Sequence, residues 1–299
     1  MIQQENSSPI KTRFAPTPSG YLHIGNALNF LLTWVEAKKQ GASIILRIDD
    51  LDGVRSRDEY IQDIIESLHW LDLEYHEGPD SVESFHQNYS QKKRMDIYRD
   101  SLKDFNPEML YWCDCSRSDI KQRYENGIYQ GYCSNRNLKQ VINTTALRIK
   151  VDPDFHKDEY NLFNEMGDFI IWRKDDIPAY QLASILDDKF YGVNLIIRGE
   201  DLKTSTLAQL YISNQLEQLS FDKNMILYHE LFKEDGTGKK LSKSEGSDSL
   251  KSLREKHKES SFVYSEIARR LCLEDYRDYR KKEDFLRILD GQNEHLLFL

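Results

Sequence analysis

The sequence has no long hydrophobic run. A helix that spans a membrane needs about 20 consecutive apolar residues, and no stretch of this chain approaches that length. The first residues, MIQQENSSPIKTRF, also lack the apolar centre of a secretory signal peptide. We therefore expect a cytoplasmic protein without a membrane partner. Its 299 residues suffice for more than one compact domain.

A positive net charge is also lacking, since the formal charge is −9. Domains that bind nucleic acid often carry a basic face, so this value weighs mildly against such a partner. Net charge hides local patches, however. The contiguous basic runs at 92–94 and 280–282 could contact RNA or lie on solvated helix faces.

Cysteine is scarce, and three of the four cysteines, Cys113, Cys115 and Cys133, lie close together in the chain. Clustered cysteines in a cytosolic protein suggest a metal before a disulfide. Zinc prefers four tetrahedral ligands, and thiolates bind it strongly. The chemistry alone leaves the fourth ligand open between Tyr129, His86 and water. Cys272 stands alone in a helical pattern, which predicts core packing.

Helical and strand-like segments alternate along much of the chain, which indicates an α/β protein. Apolar spacing predicts helices over 25–38, 60–71, 92–105, 179–190 and 205–219. Short β-rich runs predict strands over 42–50, 168–173 and 192–198. Residues 106–144 show little periodicity and suggest a loop-rich insertion. The last 50 residues suggest a small helical module, and no internal repeat is evident.

The stretch RFAPTPSGYLHIGN at 13–26 combines a stiff loop with the start of a helix. A helix N-terminus offers free N–H groups and a positive dipole end to an anion. His23 could donate a hydrogen bond to a phosphate, and Gly25 would let a phosphate or ribose approach the backbone. The alternative interpretation is a helix cap that happens to contain a histidine.

A second candidate motif is KKLSKS at 239–244, in a loop flanked by glycine. Lysines in such a loop suit phosphates that are gripped during a reaction and released afterward. The alternative is a solvated basic loop.

Together the two motifs resemble the HIGH and KMSKS signatures of class I aminoacyl-tRNA synthetases, in the same order. The extended spelling resembles the glutamyl/glutaminyl branch, as do LRIDDLD at 46–52, PAYQLASILDD at 178–188 and GVNLIIRGEDL at 192–202. The resemblance implies a Rossmann-like parallel sheet, a zinc-stapled insertion of the acceptor-binding type and a small C-terminal helical module. The corresponding division is a first half of the nucleotide-binding domain at 1–105, the insertion at 106–150, the second half at 151–245 and the module at 246–299.

The resemblance also implies roles for single residues. His23 and Lys243 would be catalytic. The ATP site, with Mg²⁺ accompanying the nucleotide, would comprise Pro16, Gly20, His23, Gly25, Asn26, Lys240 and Lys243. The glutamate site would comprise Arg13, Phe14, Ala15, Pro16, Thr17, Asp49, Tyr180 and Arg198. Two arginines suit an anionic side chain, because an arginine–carboxylate pair is charge-assisted and often bidentate.

Asp49 departs from the family pattern, which has glutamate at this position of the L-R-I-E-D motif. A carboxylate remains for the ammonium group of the substrate, but its reach is one methylene shorter. Glutaminyl-tRNA synthetases carry aspartate here, so this residue leaves the choice of amino acid open.

The pattern C-x-C followed by Y-x-x-x-C resembles the zinc site of glutamyl-queuosine tRNA(Asp) synthetases and some glutamyl-tRNA synthetases. It implies one structural zinc per chain, held by Cys113, Cys115, Tyr129 and Cys133.

The acceptor is predicted from the layout of the chain. Only the stretch 245–299 follows the second motif, which is short for an anticodon-binding domain, and this resembles glutamyl-queuosine tRNA(Asp) synthetases. We therefore expect a monomer that uses ATP to activate L-glutamate and transfers it to queuosine in the anticodon loop of tRNA(Asp). The alternatives are a minimal glutamyl-tRNA synthetase that charges an acceptor end, to which the HIGN and KLSKS spellings are closer, and a non-catalytic paralogue that binds RNA or nucleotide.

Overall fold

The structure is a computed structural model, and it describes residues 9–232 and 249–289. Its strands are β1 (Lys11–Phe14), β2 (Ser43–Leu46), β3 (Leu110–Cys113), β4 (Ala146–Ile149), β5 (His156–Lys157), β6 (Tyr160–Asn161), β7 (Phe169–Trp172), β8 (Leu195–Gly199) and β9 (Met225–His229). Its α-helices are α1 (Ile24–Gln40), α2 (Asp58–Trp70), α3 (Val82–Ser84), α4 (Met95–Ser101), α5 (Arg117–Arg123), α6 (Leu162–Glu165), α7 (Tyr180–Tyr191), α8 (Lys203–Gln215), α9 (Leu250–Lys256), α10 (Ser261–Arg270) and α11 (Leu286–Leu289). No helix among these residues is both long and apolar enough to cross a membrane.

The chain forms two compact units, each built from separate stretches of sequence. The first unit comprises Met1–Lys93, Val193–Glu200 and Asn224–Leu299, and the second comprises Arg94–Gly192 and Asp201–Lys223. Sequence-distant strands pair within each unit, so local sequence patterns do not define the units. The four-segment division given above stays a prediction.

The first unit contains two parallel strand pairs. Strands β1 and β2 run parallel, and so do β8 and β9. Asn194 connects the two pairs at their amino ends. Its backbone N–H donates to the Lys11 carbonyl at 3.0 Å, and its side-chain Oδ1 accepts from the Lys11 N–H at 2.9 Å. The predicted parallel α/β architecture is therefore confirmed for this unit.

Helix α1 covers these strands with an apolar face. The residues that predicted it, Leu28, Leu31, Leu32 and Val35, are all buried in the core of the first unit. The helix ends at Gly41, whose φ of 63° lies in the left-handed region that glycine adopts without steric cost.

The second unit contains a three-stranded antiparallel sheet in the order β3-β4-β7. The segment 168–173 is a strand, as predicted, but it joins this sheet and not a parallel pair. Apolar patterning detects a strand without showing its direction, because parallel and antiparallel strands can both be buried on two faces.

The helix predicted over 92–105 is interrupted. A 3₁₀ turn at Gln91–Arg94 precedes α4, and a second at Leu102–Asp104 follows it. Arg94 is buried in the second unit, where its Nε lies 2.7 Å from Asp187, so the basic run at 92–94 is not a uniformly solvated face.

The prediction that Cys272 packs in the core is wrong. Cys272 is exposed, and it follows α10 with a φ of 56°. Helix α10 ends at Arg270, so the helical periodicity no longer holds at Cys272, and the next residue, Leu273, is buried instead.

The second basic run also contains a buried member. The Lys282 ammonium contacts Glu74, lies 3.0 Å from Asp72 and stands 5.0 Å from the centre of the Trp34 ring. Burial raises the pKa of Glu74, but hydrogen bonds from Lys282 and Lys38 outweigh burial and lower that pKa to about 2, from an ordinary value of 4.5. This cluster holds the segment around Lys282 to the rest of the first unit.

We predict that Glu74→Gln lowers the free energy of unfolding near neutral pH by at most about 1 kcal/mol, because the Glu74 side chain is 43% exposed and its ion pair is screened. Because the folded pKa is depressed, this stability is fully present above the unfolded pKa and is lost as the pH falls from about 4.5 to about 2. Chemical unfolding at a series of pH values should show a flatter acid limb for Glu74→Gln. The exposed Glu259→Gln is the control, and an equal flattening there would contradict the assignment.

Candidate active site and metal site

The loop after β1 lies against the segment that follows β2. The Arg47 N–H donates to the Phe14 carbonyl, and the Asp49 N–H donates to the Pro16 carbonyl, both at 2.9 Å. The carboxyl ends of these two parallel strands therefore meet, and open α/β sheets bind their ligands at this edge. Phe14 and Pro16 are buried, Ala15 is partly buried, and Thr17 is exposed.

His23 is the N-cap of α1. Its Nδ1 accepts from the Gly25 N–H at 3.1 Å, and the Asn26 side chain accepts from the His23 N–H at 3.0 Å, which completes a capping box. An imidazole that accepts at Nδ1 carries its proton on Nε2. His23 therefore caps α1 with its own side chain, and the ring proton lies on Nε2.

Gly25 makes room for this cap. A Cβ atom at Gly25 would lie 2.9 Å from Cε1 and 3.0 Å from Nδ1 of His23, which is too close for contact without displacement. The sequence predicted this glycine for the approach of a ligand. The structure gives a local reason for glycine at this position: the neighbouring His23 imidazole occupies the space that a side chain would fill.

Arg13 and Arg198 are buried in the first unit, with 5% and 2% of their surfaces exposed. Arg13 lies on β1 and donates from Nη1 to the Ile197 carbonyl at 3.3 Å. Arg198 follows that carbonyl on β8. Both residues therefore place buried positive charge at the carboxyl ends of β1 and β8.

Asp49 forms a bidentate pair that the sequence reasoning missed. Arg47 donates from Nε to Oδ1 at 2.7 Å and from Nη2 to Oδ2 at 3.0 Å, and both residues are buried. A carboxylate offers about four lone-pair positions, so Asp49 can accept another donor while it keeps this pair. The alternation in L-R-I-D-D could have revealed the pair, because residues two apart on an extended segment share one side.

Tyr180 belongs to the second unit. It begins α7, is 43% exposed and lines a cavity of about 370 Å³ together with Tyr129, Arg148 and Gln181. The other predicted glutamate-site residues belong to the first unit. Gly20 lies in the loop before α1, while Lys240 and Lys243 lie outside the described residues.

The three clustered cysteines come together in the second unit. Their sulfur atoms lie within 4.8 Å of one another, and the sulfurs of Cys115 and Cys133 are 3.6 Å apart. The Tyr129 hydroxyl lies 3.4 Å from the sulfur of Cys113 and accepts from the Cys133 N–H at 2.7 Å. His86, the alternative ligand, contacts Asp58 at 2.8 Å in the first unit.

These distances fit a tetrahedral metal. Bonds of about 2.3 Å to sulfur and about 2.0 Å to oxygen imply ligand–ligand edges of roughly 3.8 Å and 3.5 Å. The Cys115–Cys133 separation of 3.6 Å and the Cys113–Tyr129 separation of 3.4 Å are close to those edges, and the three sulfurs as a set lie within 4.8 Å. Three thiols and a phenol therefore form a set of side chains that could hold a metal ion.

Two arginines supply positive charge beside this set. The Arg148 guanidinium lies 3.9 Å from the centre of the Tyr129 ring, and Arg136 donates to the Cys133 sulfur at 3.3 Å. Burial raises the pKa of Cys113, but its hydrogen bond with Tyr129 and the charge of Arg148 outweigh burial and lower that pKa. Burial and the neighbouring Cys133 raise the pKa of Cys115 to about 12, and burial also raises that of Tyr129. A bound cation would favour the ionised form of all four groups.

Comparison with known proteins adds a family match. The model described as "tRNA synthetases class I (E and Q), catalytic domain" matches residues 9–295. Glutamate–tRNA ligase 2 of Syntrophus aciditrophicus is 34% identical over 273 residues, which cover 84% of this chain and 55% of that protein. Glutamyl-Q tRNA(Asp) synthetase of Symbiobacterium thermophilum is 36% identical over 231 residues, which cover 68% of this chain and 70% of that protein.

A solved structure shares the fold. The glutamate tRNA ligase of Elizabethkingia meningosepticum, crystallised in complex with its amino acid, aligns with a TM-score of 0.69 at 21% identity, over 94% of this chain and 64% of that chain. The chain spans about half the length of several glutamate–tRNA ligases that it matches.

Proposed function

The chain belongs to the catalytic-domain family of the class I tRNA synthetases for glutamate and glutamine, and on that premise we propose that it activates L-glutamate with ATP and transfers it to a tRNA. The observation that carries the proposal is the pair of buried guanidinium groups, Arg13 and Arg198, at the carboxyl ends of β1 and β8.

Charge is the basis for choosing glutamate over glutamine. The side-chain carboxylate would form charge-assisted hydrogen bonds with Arg13 and Arg198, and the neutral amide of glutamine would lack that charge assistance. Asp49 would accept from the substrate ammonium group while its pair with Arg47 fixes its orientation. The backbone of 14–17 would complete the amino-acid site within the first unit.

Activation joins two substrates and expels pyrophosphate. The α-carboxylate of glutamate attacks the α-phosphorus of ATP, the bond to the bridging oxygen breaks, and glutamyl-adenylate and pyrophosphate form. ATP would enter as its magnesium complex. No covalent enzyme intermediate is needed, so the protein contributes positioning and charge stabilisation.

His23 and the start of α1 would serve this step. The imidazole is held by its own helix cap, and its Nε2–H would donate to a phosphate oxygen as negative charge develops there. Pro16, Gly20, Gly25 and Asn26 would complete the ATP site, while Lys240 and Lys243 would neutralise the departing pyrophosphate.

The activation step is tested by pyrophosphate exchange with purified protein, ATP and one amino acid at a time. Glutamate should support exchange without any RNA, at a kcat/KM at least about 100-fold above those of glutamine, which lacks the charge, and aspartate, whose carboxylate reaches one methylene less far. Faster exchange with glutamine would move the assignment to the glutamine side of the family.

The metal site has a structural role in this proposal. Cys113, Cys115, Cys133 and Tyr129 would hold one zinc ion, and a closed set of four protein ligands leaves no position for substrate. The ion would connect Cys113 at the end of β3 and Cys115 just after it to Tyr129 and Cys133. That connection would order a region with few apolar contacts of its own.

We predict one zinc per chain by elemental analysis of the purified protein. Cys115→Ser should lower the zinc content toward zero and destabilise the second unit by several kcal/mol, because the free energy of metal binding contributes to folding. Cys272→Ser is the matched control, since Cys272 is an exposed cysteine outside the cluster, and it should keep full zinc content. A zinc-free wild-type protein of undiminished stability would overturn the structural-zinc proposal.

The acceptor we propose is queuosine in the anticodon loop of tRNA(Asp). The support is the similarity to a glutamyl-Q tRNA(Asp) synthetase. The matched region covers a larger share of that relative's own length than of the length of glutamate–tRNA ligase 2. A cis-diol of the modified base would attack the adenylate carbonyl, an ester would form, and AMP would leave. The second candidate acceptor is the terminal ribose of a tRNA. The similarity to glutamate–tRNA ligases supports it, because their matches cover a larger share of this chain.

A further inference from the structure

A chain of hydrogen bonds crosses the carboxyl ends of β8 and β9 in the first unit. It begins at the Glu230 carbonyl, 2.8 Å from Nδ1 of the buried His229. Nε2 of His229 lies 3.0 Å from Nδ2 of Asn29, on α1. The same amide nitrogen lies 3.4 Å from the Ile197 carbonyl.

The donors and acceptors in this chain have a single consistent assignment. A carbonyl can only accept, so His229 donates from Nδ1 to Glu230. In the neutral ring, Nε2 then accepts from Asn29. The two hydrogens of the Asn29 amide nitrogen therefore go to His229 and to Ile197, and backbone carbonyls fix both ends of the chain.

The Ile197 carbonyl links this chain to the proposed glutamate site. It accepts from Asn29 and also from Nη1 of Arg13 at 3.3 Å, so its two lone pairs are shared between them. Ile197 directly precedes Arg198 on β8. Asn29 and Arg13 therefore donate to the same carbonyl oxygen.

We propose that Asn29 is a positioning residue for Arg13, and that His229 orients the Asn29 amide for this role. The inference rests on the proposed function, in which Arg13 binds the glutamate side chain. Neither Asn29 nor His229 contacts the reacting atoms in this account. Their effect is on where the guanidinium sits and therefore on how well the site distinguishes a carboxylate from an amide.

The test uses glutamate-dependent pyrophosphate exchange. Asn29→Ala should raise KM for glutamate about tenfold, the usual size for one lost hydrogen bond, while kcat and KM for ATP change by less than about threefold. The preference for glutamate over glutamine should fall by a similar factor. His229→Leu should have the same effect, whereas His229→Gln keeps an acceptor for Asn29 and should stay near wild type.

Combining Asn29→Ala with His229→Leu should be no worse than either change alone, because both break one chain. If Asn29→Ala does not fold, the contrast between His229→Gln and His229→Leu gives the same answer.

The matched control is Asn194→Ala, at the opposite end of the same strands. Asn194 donates to the Pro9 carbonyl at 3.2 Å and accepts from the Lys11 N–H, so its removal costs two hydrogen bonds far from the carboxyl edge. It should lower thermal stability and leave KM for glutamate unchanged. An unchanged KM in Asn29→Ala, or an equal rise in Asn194→Ala, would overturn the positioning role. Absence of exchange in the wild-type protein would instead contradict the proposed function.

Discussion

Arg198→Ala is expected to lower kcat/KM for glutamate in pyrophosphate exchange by about 100- to 1000-fold. The guanidinium is 2% exposed, so it would meet the substrate carboxylate in a desolvated setting where losing one partner of a charge pair costs several kcal/mol. The preference for glutamate over glutamine should largely disappear. Arg198→Lys should recover part of the activity, because it restores the charge without the planar pair of donors.

The control for this variant is Arg254→Ala. Arg254 also belongs to the first unit, where it pairs with Asp63 at 3.1 Å and Glu66 at 2.7 Å. Its removal should lower stability without changing KM for glutamate. Retention of activity within tenfold in a folded Arg198→Ala protein would show that this arginine does not bind the substrate.

His23→Asn is expected to lower kcat for adenylate formation by about 100-fold while leaving thermal stability close to that of the wild type. Asparagine is a favourable N-cap, so it replaces the Nδ1 acceptor for α1 but lacks a donor at the position of Nε2. Loss of one donor that acts on developing charge accounts for the fall in kcat. His23→Ala should show the same kcat defect together with a loss of about 1 kcal/mol in stability, because the cap is also gone.

Comparing the two His23 variants separates the cap from the chemistry. Exchange kinetics and thermal unfolding should be measured on the same preparations. A wild-type kcat in His23→Asn, with a defect only in His23→Ala, would mean that the histidine serves the helix alone.

Local pattern predicted much of the secondary structure. Helices α1, α2, α7 and α8 and strand β8 lie where the apolar spacing indicated, because each buries one face or both against a core. The apolar spacing did not indicate the direction of the strands. Nothing in the segment of β7 distinguishes a parallel neighbour from an antiparallel one, and the division into two units follows from strand pairing between distant segments.

The candidate sites could likewise be predicted only where their residues lie close together in the sequence. The spacing of Cys113, Cys115 and Cys133 indicated one cluster, and the structure brings their sulfurs within 4.8 Å. The chain of Asn29 and His229 was not predicted, because its members come from α1 and β9 and meet only through the fold. The role of each active-site residue stays a prediction, and Lys240 and Lys243 lie outside the described residues.

The most direct test of the account is transfer of radiolabelled glutamate to tRNA(Asp), followed by mapping of the labelled nucleotide. Three substrates should be compared: tRNA carrying queuosine, the same tRNA with guanosine at that position, and the queuosine form after enzymatic removal of the terminal adenosine. We expect label on queuosine, transfer that survives trimming, and no transfer to the guanosine form. Label on the terminal ribose, with transfer that needs the terminal adenosine and ignores queuosine, would contradict the proposed acceptor, and no transfer of glutamate to any tRNA would contradict the proposed function itself.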